Sequence, residues 1–108
     1  YERLVGTVAE LRRPSVWPLD GRYQVVVRAF FSDARPRDVD NVAKSVLDGL
    51  NRVLWRDDRQ VVRLVSEKSI DRLRPRVEVE VELVADAATA KGMATNVLIT
   101  PAPKEAAR

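Results

Sequence analysis

The 108-residue sequence contains no cysteine and no histidine. The first absence excludes disulfides, thiolate metal sites and thiol nucleophiles. The second makes a structural zinc site unexpected and leaves no imidazole to act as a general base. Any catalytic chemistry must therefore rely on carboxylates, hydroxyls, amines, guanidinium groups or a bound metal ion. A carboxylate site selects hard cations such as Mg²⁺ or Mn²⁺.

Aromatic residues and long apolar runs are also scarce. Trp, Tyr and Phe occur only twice each, so the core must be built mainly from aliphatic side chains. No apolar run approaches the roughly 18 residues that a membrane helix needs, and no signal peptide is visible. We therefore expect no membrane partner and a cytoplasmic location. The sequence starts at Tyr1 rather than Met, and we expect an N-terminal segment to be missing.

The basic residues are unusual in kind rather than in number. The net charge is only +3, but 15 of the 19 cations are Arg. Arg suits bidentate contacts to phosphate groups, which favours a nucleic-acid partner. A GC-rich genome would also raise the Arg count, so the positions of these residues carry more information than their number.

Hydrophobic periodicity predicts an α+β domain with a small mixed or antiparallel sheet of three or more strands and two helices packed on it. The run over 22–31 is nearly continuous in apolarity, which indicates a central strand with one face fully buried. The last two predicted strands are expected to form an antiparallel hairpin. The predicted helices span 1–12 and 41–54, and the predicted strands span 22–31, 60–68 and 76–84.

The composition changes near residue 85, where small residues become dominant. We therefore divide the chain into a domain over 1–84 and an Ala-rich C-terminal tail over 85–108. The tail has too little apolar content for a core of its own. Residues 96–100 could add an edge strand to the sheet or dock on a partner.

Acidic residues flank the second predicted helix. Asp38 and Asp40 are two residues apart in what should be extended chain, which would point both carboxylates to the same side. Asp58 follows the helix, and a strand running beside 22–31 could bring it back toward the pair. Three converging carboxylates repel one another strongly, and a divalent cation relieves that repulsion. Lys44 could balance the carboxylates or meet the charge of a phosphoryl transition state.

The same residues have a purely structural interpretation. Asp is common immediately before a helix, where its carboxylate caps backbone N–H groups. The Asp57–Asp58 pair would then be a solvated turn. Residue types and spacing alone leave both interpretations open.

Residues 38–61, DVDNVAKSVLDGLNRVLWRDDRQV, resemble the signature of RusA-type Holliday-junction resolvases. The family pattern is D-x-D-N-x-x-K-x-x-x-D-x-L, then W-x-D-D-x-Q-V, then a Lys at the end of the following strand. Every position is filled here, by Asp38, Asp40, Asn41, Lys44, Asp48, Leu50, Trp55, Asp57, Asp58, Gln60, Val61 and Lys68. The resemblance extends more loosely over most of residues 1–84.

The resemblance implies a Mg²⁺-dependent homodimeric endonuclease that cuts four-way junctions symmetrically in recombination and repair. Its metal-binding carboxylates would be Asp38, Asp40 and Asp58, and its essential lysine would be Lys44. Structural support would come from Asn41, Asp48, Trp55, Asp57 and Gln60. Family members usually begin with a strand and a basic loop before the first helix, and this sequence shows no counterpart to them.

Basic residues surround the acidic motif, which would attract DNA phosphates while the acidic residues hold metal. The candidate DNA contacts are Arg35, Arg37, Arg56, Arg59, Lys68, Arg72 and Arg74. Three alternatives remain: a flap or fork nuclease that uses the same site, a non-catalytic junction-binding module, and a small structural domain. Asp38, Asp40, Lys44 and Asp58 argue against the binding module, because a pure DNA binder gains nothing from carboxylates facing phosphates.

Overall fold

A computed structural model of the chain describes residues 1–85, 93–100 and 102. It confirms the predicted α+β class, with two helices packed on one four-stranded mixed sheet. Among these residues, no helix is long and apolar enough to cross a bilayer. In chain order the elements are α1 (Glu2–Arg12), β1 (Arg22–Phe31), α2 (Val39–Leu50), β2 (Val61–Ile70), β3 (Arg76–Ala85) and β4 (Ala94–Ile99), with a 3₁₀ turn at Asp58–Gln60 before β2.

The strand order β2-β1-β3-β4 makes β1 a central strand, as its apolar sequence predicts. β2 runs parallel to β1, with Phe31 opposite Ile70, and β3 runs antiparallel to β1 on its other side. The predicted hairpin between β2 and β3 is therefore wrong. The connection does not fold back on β2, because it crosses the end of β1, where the Asp71 N–H donates to the carbonyl of Phe31 (2.8 Å).

The core lies between the helices and one face of the sheet. Alternate residues of β1, from Tyr23 to Phe31, are buried. Val77, Val79, Val81 and Leu83 of β3 join them. The strict alternation of β3 places its glutamates on the opposite face. There Glu80 accepts a hydrogen bond from Arg28 of β1, and Glu82 accepts one from Gln24 of β1. In the described part of the chain, helices therefore cover only one face of the sheet.

The helix α2 differs from its predicted span of 41–54 at both ends. It begins earlier because Asp38 is its N-cap and accepts a hydrogen bond from the N–H of Asp40 (2.9 Å). Asp40 is therefore helical, and the prediction of extended chain through 38–40 is wrong at this residue. The helix ends at Leu50 because Asn51 is extended and Arg52 adopts a positive φ of 69°.

The segment after α2 turns sharply instead of continuing the helix. Asn51 and Trp55 form an isolated bridge, and the Arg52 N–H donates to the Trp55 carbonyl (2.7 Å). Leu54 and Trp55 are fully buried in this turn, and the Trp55 ring packs against Tyr23, with 5.6 Å between centroids. Leu54, the last residue of the predicted helix, therefore packs in the core from a non-helical turn.

The expected edge strand at 96–100 is β4, which covers Ala94–Ile99 and pairs antiparallel with β3. Val97 and Ile99 are buried in the core. The rest of the Ala-rich segment, residues 86–92, 101 and 103–108, lies outside the described residues.

Candidate active site

The first acidic group lies at the start of α2. Asp38 and Asp40 are both exposed, one as the N-cap and the other in the first helical turn, where carboxylates are favoured by the partial positive charge of the helix end. Lys44 is exposed one turn further along the same helix. Side chains four residues apart on a helix are neighbours, so Asp40 and Lys44 share one face of α2.

Two side chains of β2 hold the start of α2 to the sheet. Lys68 Nζ donates to the carbonyl of Arg37 (2.7 Å), immediately before the N-cap. Ser66 Oγ donates to the carbonyl of Val39 (3.5 Å). The Asp38–Asp40 pair is therefore fixed beside the C-terminal half of β2.

The loop between β1 and α2 is organised by Asp33. Its carboxylate accepts hydrogen bonds from the Arg37 guanidinium (2.8 Å) and from the N–H of Arg35 (3.0 Å). These contacts lower the pKa of Asp33 to about 2, with the largest effect from the Arg37 guanidinium and the next from the Arg35 N–H. The Arg37 guanidinium lies over the Phe31 ring at 4.3 Å, and its side chain is only 7% exposed. A salt bridge and a cation–π contact thus set the path of the chain into Asp38.

The second acidic group lies in the turn before β2. Trp55 Nε1 donates to Asp58 Oδ1 (2.7 Å), so a fully buried ring orients this half-buried carboxylate. Asp57 caps the 3₁₀ turn by accepting the Arg59 N–H (2.9 Å), and this bond is the main cause of its lowered pKa.

Gln60 connects this turn to the loop before β1, with two hydrogen bonds to the turn and two to the loop. Its Oε1 accepts the N–H groups of Arg56 (3.0 Å) and Asp57 (2.9 Å). Its Nε2 donates to the carbonyls of Leu19 (2.8 Å) and Gly21 (2.9 Å). The second acidic group is therefore attached to the start of β1.

The structure does not bring the two acidic groups together within one chain. β2 does run beside β1, but in parallel, so Asp58 lies near the start of both strands and Asp38 near their ends. The 12-residue helix α2 separates them by about 18 Å of axial rise. Over residues 1–85, 93–100 and 102, no three acidic side chains are close enough to hold a metal ion.

The basic residues near the site differ in their availability. The Arg35 and Arg59 side chains are 71% and 90% exposed, although each also contacts a neighbouring aspartate. Arg56 pairs with Asp20. Arg72 and Arg74 are exposed in the connection that crosses the end of β1. Arg37, in contrast, is turned inward.

Sequence reasoning missed Asp33 and Asp71, which organise the two loops at the C-terminal end of β1. Asp71 accepts from the Arg76 guanidinium (2.7 Å) and from the N–H groups of Leu73 and Arg74 (3.1 Å each). The available signal was spacing: Asp33 precedes Arg35 and Arg37 by two and four residues, and Asp71 precedes Arg76 by five.

Comparison with known proteins identifies the class of this chain. Residues 1–82 match the family model described as Endodeoxyribonuclease RusA, so the class is that of DNA endonucleases. The match covers well over half of the sequence, and the chain belongs to the RusA family of Holliday-junction resolvases. No curated protein and no solved structure matched the chain. Nucleases of this family generally depend on a divalent metal ion.

Proposed function

We propose that this chain is a Mg²⁺-dependent, structure-specific endonuclease that resolves four-way DNA junctions by symmetric phosphodiester cleavage. One observation carries the proposal: the family signature between Asp38 and Val61 places its proposed metal-binding carboxylates in two segments, the start of α2 and the turn before β2, each held by hydrogen bonds to the sheet or core. A DNA substrate also agrees with the cytoplasmic location expected from the sequence.

The donor chemistry of the proposed metal ligands suits Mg²⁺, with Mn²⁺ as a substitute. Asp38, Asp40 and Asp58 offer carboxylate oxygens, and in the described part of the chain none of the three forms a salt bridge that would neutralise it. The arrangement in one chain does not fit a single ion, because Asp58 is distant from the other two. We therefore assign these carboxylates to the metal by the chemistry of their donor atoms alone.

The other signature residues have roles that follow from their contacts. Lys44 presents a cation on the same helix face as Asp40, where it can approach a scissile phosphate. Trp55 orients Asp58, and Asp57 and Gln60 hold the turn that carries it. We assign Asn41 and Asp48, both exposed on α2, to support of that helix.

DNA would be held by the basic residues around the two turns. We propose phosphate contacts for Arg35, Arg56, Arg59, Lys68, Arg72 and Arg74, and a supporting role for Arg37 through its ion pair with Asp33. Because phosphate contacts do not depend on base sequence, selectivity for junctions must come from the shape of the DNA.

The test compares a synthetic four-way junction, a flapped or forked DNA and a matched linear duplex, each with and without Mg²⁺. Wild type and Asp40→Asn are assayed together, with Glu10→Gln as the matched control because it makes the same carboxylate-to-amide change on an exposed part of α1. We expect paired, symmetric nicks in the junction only, a requirement for Mg²⁺, loss of at least a hundredfold in rate for Asp40→Asn, and wild-type cleavage by Glu10→Gln.

Other results would contradict the proposal in different ways. Preferred cutting of the flap or fork would assign the same site to a different substrate. Tight junction binding with no cleavage at any Mg²⁺ concentration would indicate a non-catalytic binding module. Absence of both binding and cleavage at low salt would leave only the structural role of the two acidic turns.

A further inference from the structure

We propose that Leu73 is a wedge that this chain inserts between bases at the centre of a four-way junction. The inference rests on the proposed function and deepens it, because it names a residue that recognises the branch point. Phosphate contacts position a protein on DNA, but both a junction and a duplex present phosphates. A side chain that enters only where bases are easily separated supplies the missing distinction.

The first observation is the exposure of Leu73 in the connection between β2 and β3. Its side chain is 92% exposed, more than any other large apolar side chain in the described part of the chain. A single exposed leucine is ordinary on a protein surface and by itself indicates nothing. The setting of Leu73 is different, because its neighbours Arg72 and Arg74 are both exposed cations. Guanidinium groups that bind phosphates on either side would hold the leucine against the bases.

The second observation is the framework of hydrogen bonds below this connection. The Asp71 carboxylate accepts the N–H groups of Leu73 and Arg74 (3.1 Å each). It also accepts the Arg76 guanidinium (2.7 Å), which lies over the Phe30 ring at 4.0 Å and belongs to a side chain that is only 13% exposed. The framework fixes the backbone of Leu73 and leaves its side chain in solvent. A residue on such a preorganised loop loses less conformational entropy when it binds.

The third observation is the position of the connection at the end of the sheet that carries Asp38. The Asp71 N–H donates to the Phe31 carbonyl (2.8 Å) at the end of β1, and the loop that leads into Asp38 leaves β1 at the same place. An open cleft of about 450 Å³ lies between this loop and the end of β2, with Arg35 and Lys68 in its walls. A DNA strand held at Leu73 can therefore pass two further cations on its way toward Asp38.

The chemistry of this tip favours DNA at a branch point over other occupants. Proteins that insert leucine or similar apolar side chains between base steps unstack the bases and bend the DNA. Inside a duplex, insertion breaks continuous stacking, whereas a base pair at the branch point ends its own arm and loses less. The leucine therefore gains burial at the junction with a smaller loss of stacking than in a duplex. An apolar protein partner would leave Arg72 and Arg74 without phosphates.

The experiment measures unstacking with a fluorescent adenine analogue placed next to the branch point, since its fluorescence rises when it loses its stacked neighbours. Binding is measured without divalent metal, so that no strand is cut. Wild type should raise the fluorescence of the junction but not that of a duplex with the same analogue. Leu73→Asn keeps the size of the side chain but makes it polar. It should abolish the rise and weaken junction binding about tenfold, with duplex affinity unchanged within about twofold.

Two further variants serve as controls. Leu73→Met keeps an apolar side chain of similar size and should retain the fluorescence rise. Leu11→Asn makes the same polar change at a leucine of α1 that is 80% exposed and also precedes an arginine, and it should behave as wild type. Because all three changes are at exposed positions, the midpoint of urea unfolding should stay close to that of wild type.

The outcomes separate the wedge from the nuclease. Equal fluorescence and junction affinity in wild type and Leu73→Asn, with normal Mg²⁺-dependent cleavage by both, would overturn the inference and leave the proposed function intact. An equal loss of affinity for junction and duplex would also overturn it, because Leu73 would then be a general DNA contact. A fluorescence rise that requires Leu73, without cleavage by wild type at any Mg²⁺ concentration, would retain the wedge and reject the proposed nuclease.

Discussion

Single side chains in this protein are used mainly to position short loops next to the sheet. Asp33 is the clearest case, because one carboxylate receives the guanidinium groups of Arg35 and Arg37 and fixes the approach to Asp38. Its pKa is lowered to about 2 from an ordinary 3.8. A group with a lowered pKa in the folded state stabilises the fold above its ordinary pKa, and that contribution is lost as the pH falls toward the folded value.

The Asp33→Asn variant tests this effect. At pH 6 we expect it to be less stable than wild type, by an amount found from urea unfolding. The difference should shrink as the pH falls from 3.8 to about 2, because the wild-type carboxylate becomes protonated over that range. Glu10→Gln serves as the control for removal of an exposed carboxylate. A stability difference that stays constant down to the lowest pH would show that the Asp33 ion pairs do not stabilise the loop.

Gln60 provides a second residue-scale prediction. Gln60→Ala removes four hydrogen bonds, and at about 0.5–1.5 kcal/mol each we expect a loss of roughly 2–6 kcal/mol in the free energy of unfolding. Gln60→Glu keeps the shape and the two accepted bonds but points a carboxylate oxygen at two carbonyls. The loss of stability relative to wild type should therefore be smaller at pH 4 than at pH 7, and an equal loss at both would contradict the assigned geometry.

At the scale of elements, the sequence predicted the strands and helices themselves better than it predicted which strands pair in the sheet. β1 was predicted residue for residue, because its buried face and apolar run agree. The pairing of β2 and β3 was predicted wrongly, because hydrophobic alternation determines which face of a strand is buried but not which strand lies next to it. The end of α2 was misplaced because Val53 and Leu54 pack on the core from a turn, and an apolar stripe alone does not distinguish a turn from a helix.

The same limits apply to the candidate site. Its residue types and spacing were visible in the sequence, since the signature between Asp38 and Val61 is local. Its geometry was not visible, because the separation of Asp58 from Asp38 depends on the parallel direction of β2.

The packing of the two helices gives a prediction at this scale. A Cβ placed on Gly49 would lie 2.6 Å from both the Glu2 carbonyl and Val5 Cβ. Gly49→Ala would gain up to about 1 kcal/mol of helix propensity, but overpacking of this kind costs about 1–3 kcal/mol. We expect a net loss of about 1–2 kcal/mol by chemical unfolding, while Glu10→Ala on the exposed face of α1 changes stability by less than about 0.5 kcal/mol. A stabilised Gly49→Ala would show that α1 and α2 are further apart.

For the whole molecule, the proposed DNA surface predicts a strong dependence of binding on salt. Replacing Arg72 and Arg74 by Ala should weaken binding to all junction sequences alike and reduce the slope of log affinity against log salt by up to about 2. Arg3→Ala, an exposed change of the same charge on α1, should leave the slope unaltered. Slopes are measured by fluorescence anisotropy. An unchanged slope in the double variant would place the DNA elsewhere on the protein.

The path of the connection over the end of β1 also affects how the protein is made. β1 leaves the ribosome well before either of its neighbours, since β2 begins at Val61 and β3 at Arg76. During that interval the apolar central strand has both edges open, and most of the contacts it will make are distant in sequence, which slows folding. The nascent chain is therefore prone to aggregation and proteolysis during synthesis until β3 has emerged from the ribosome.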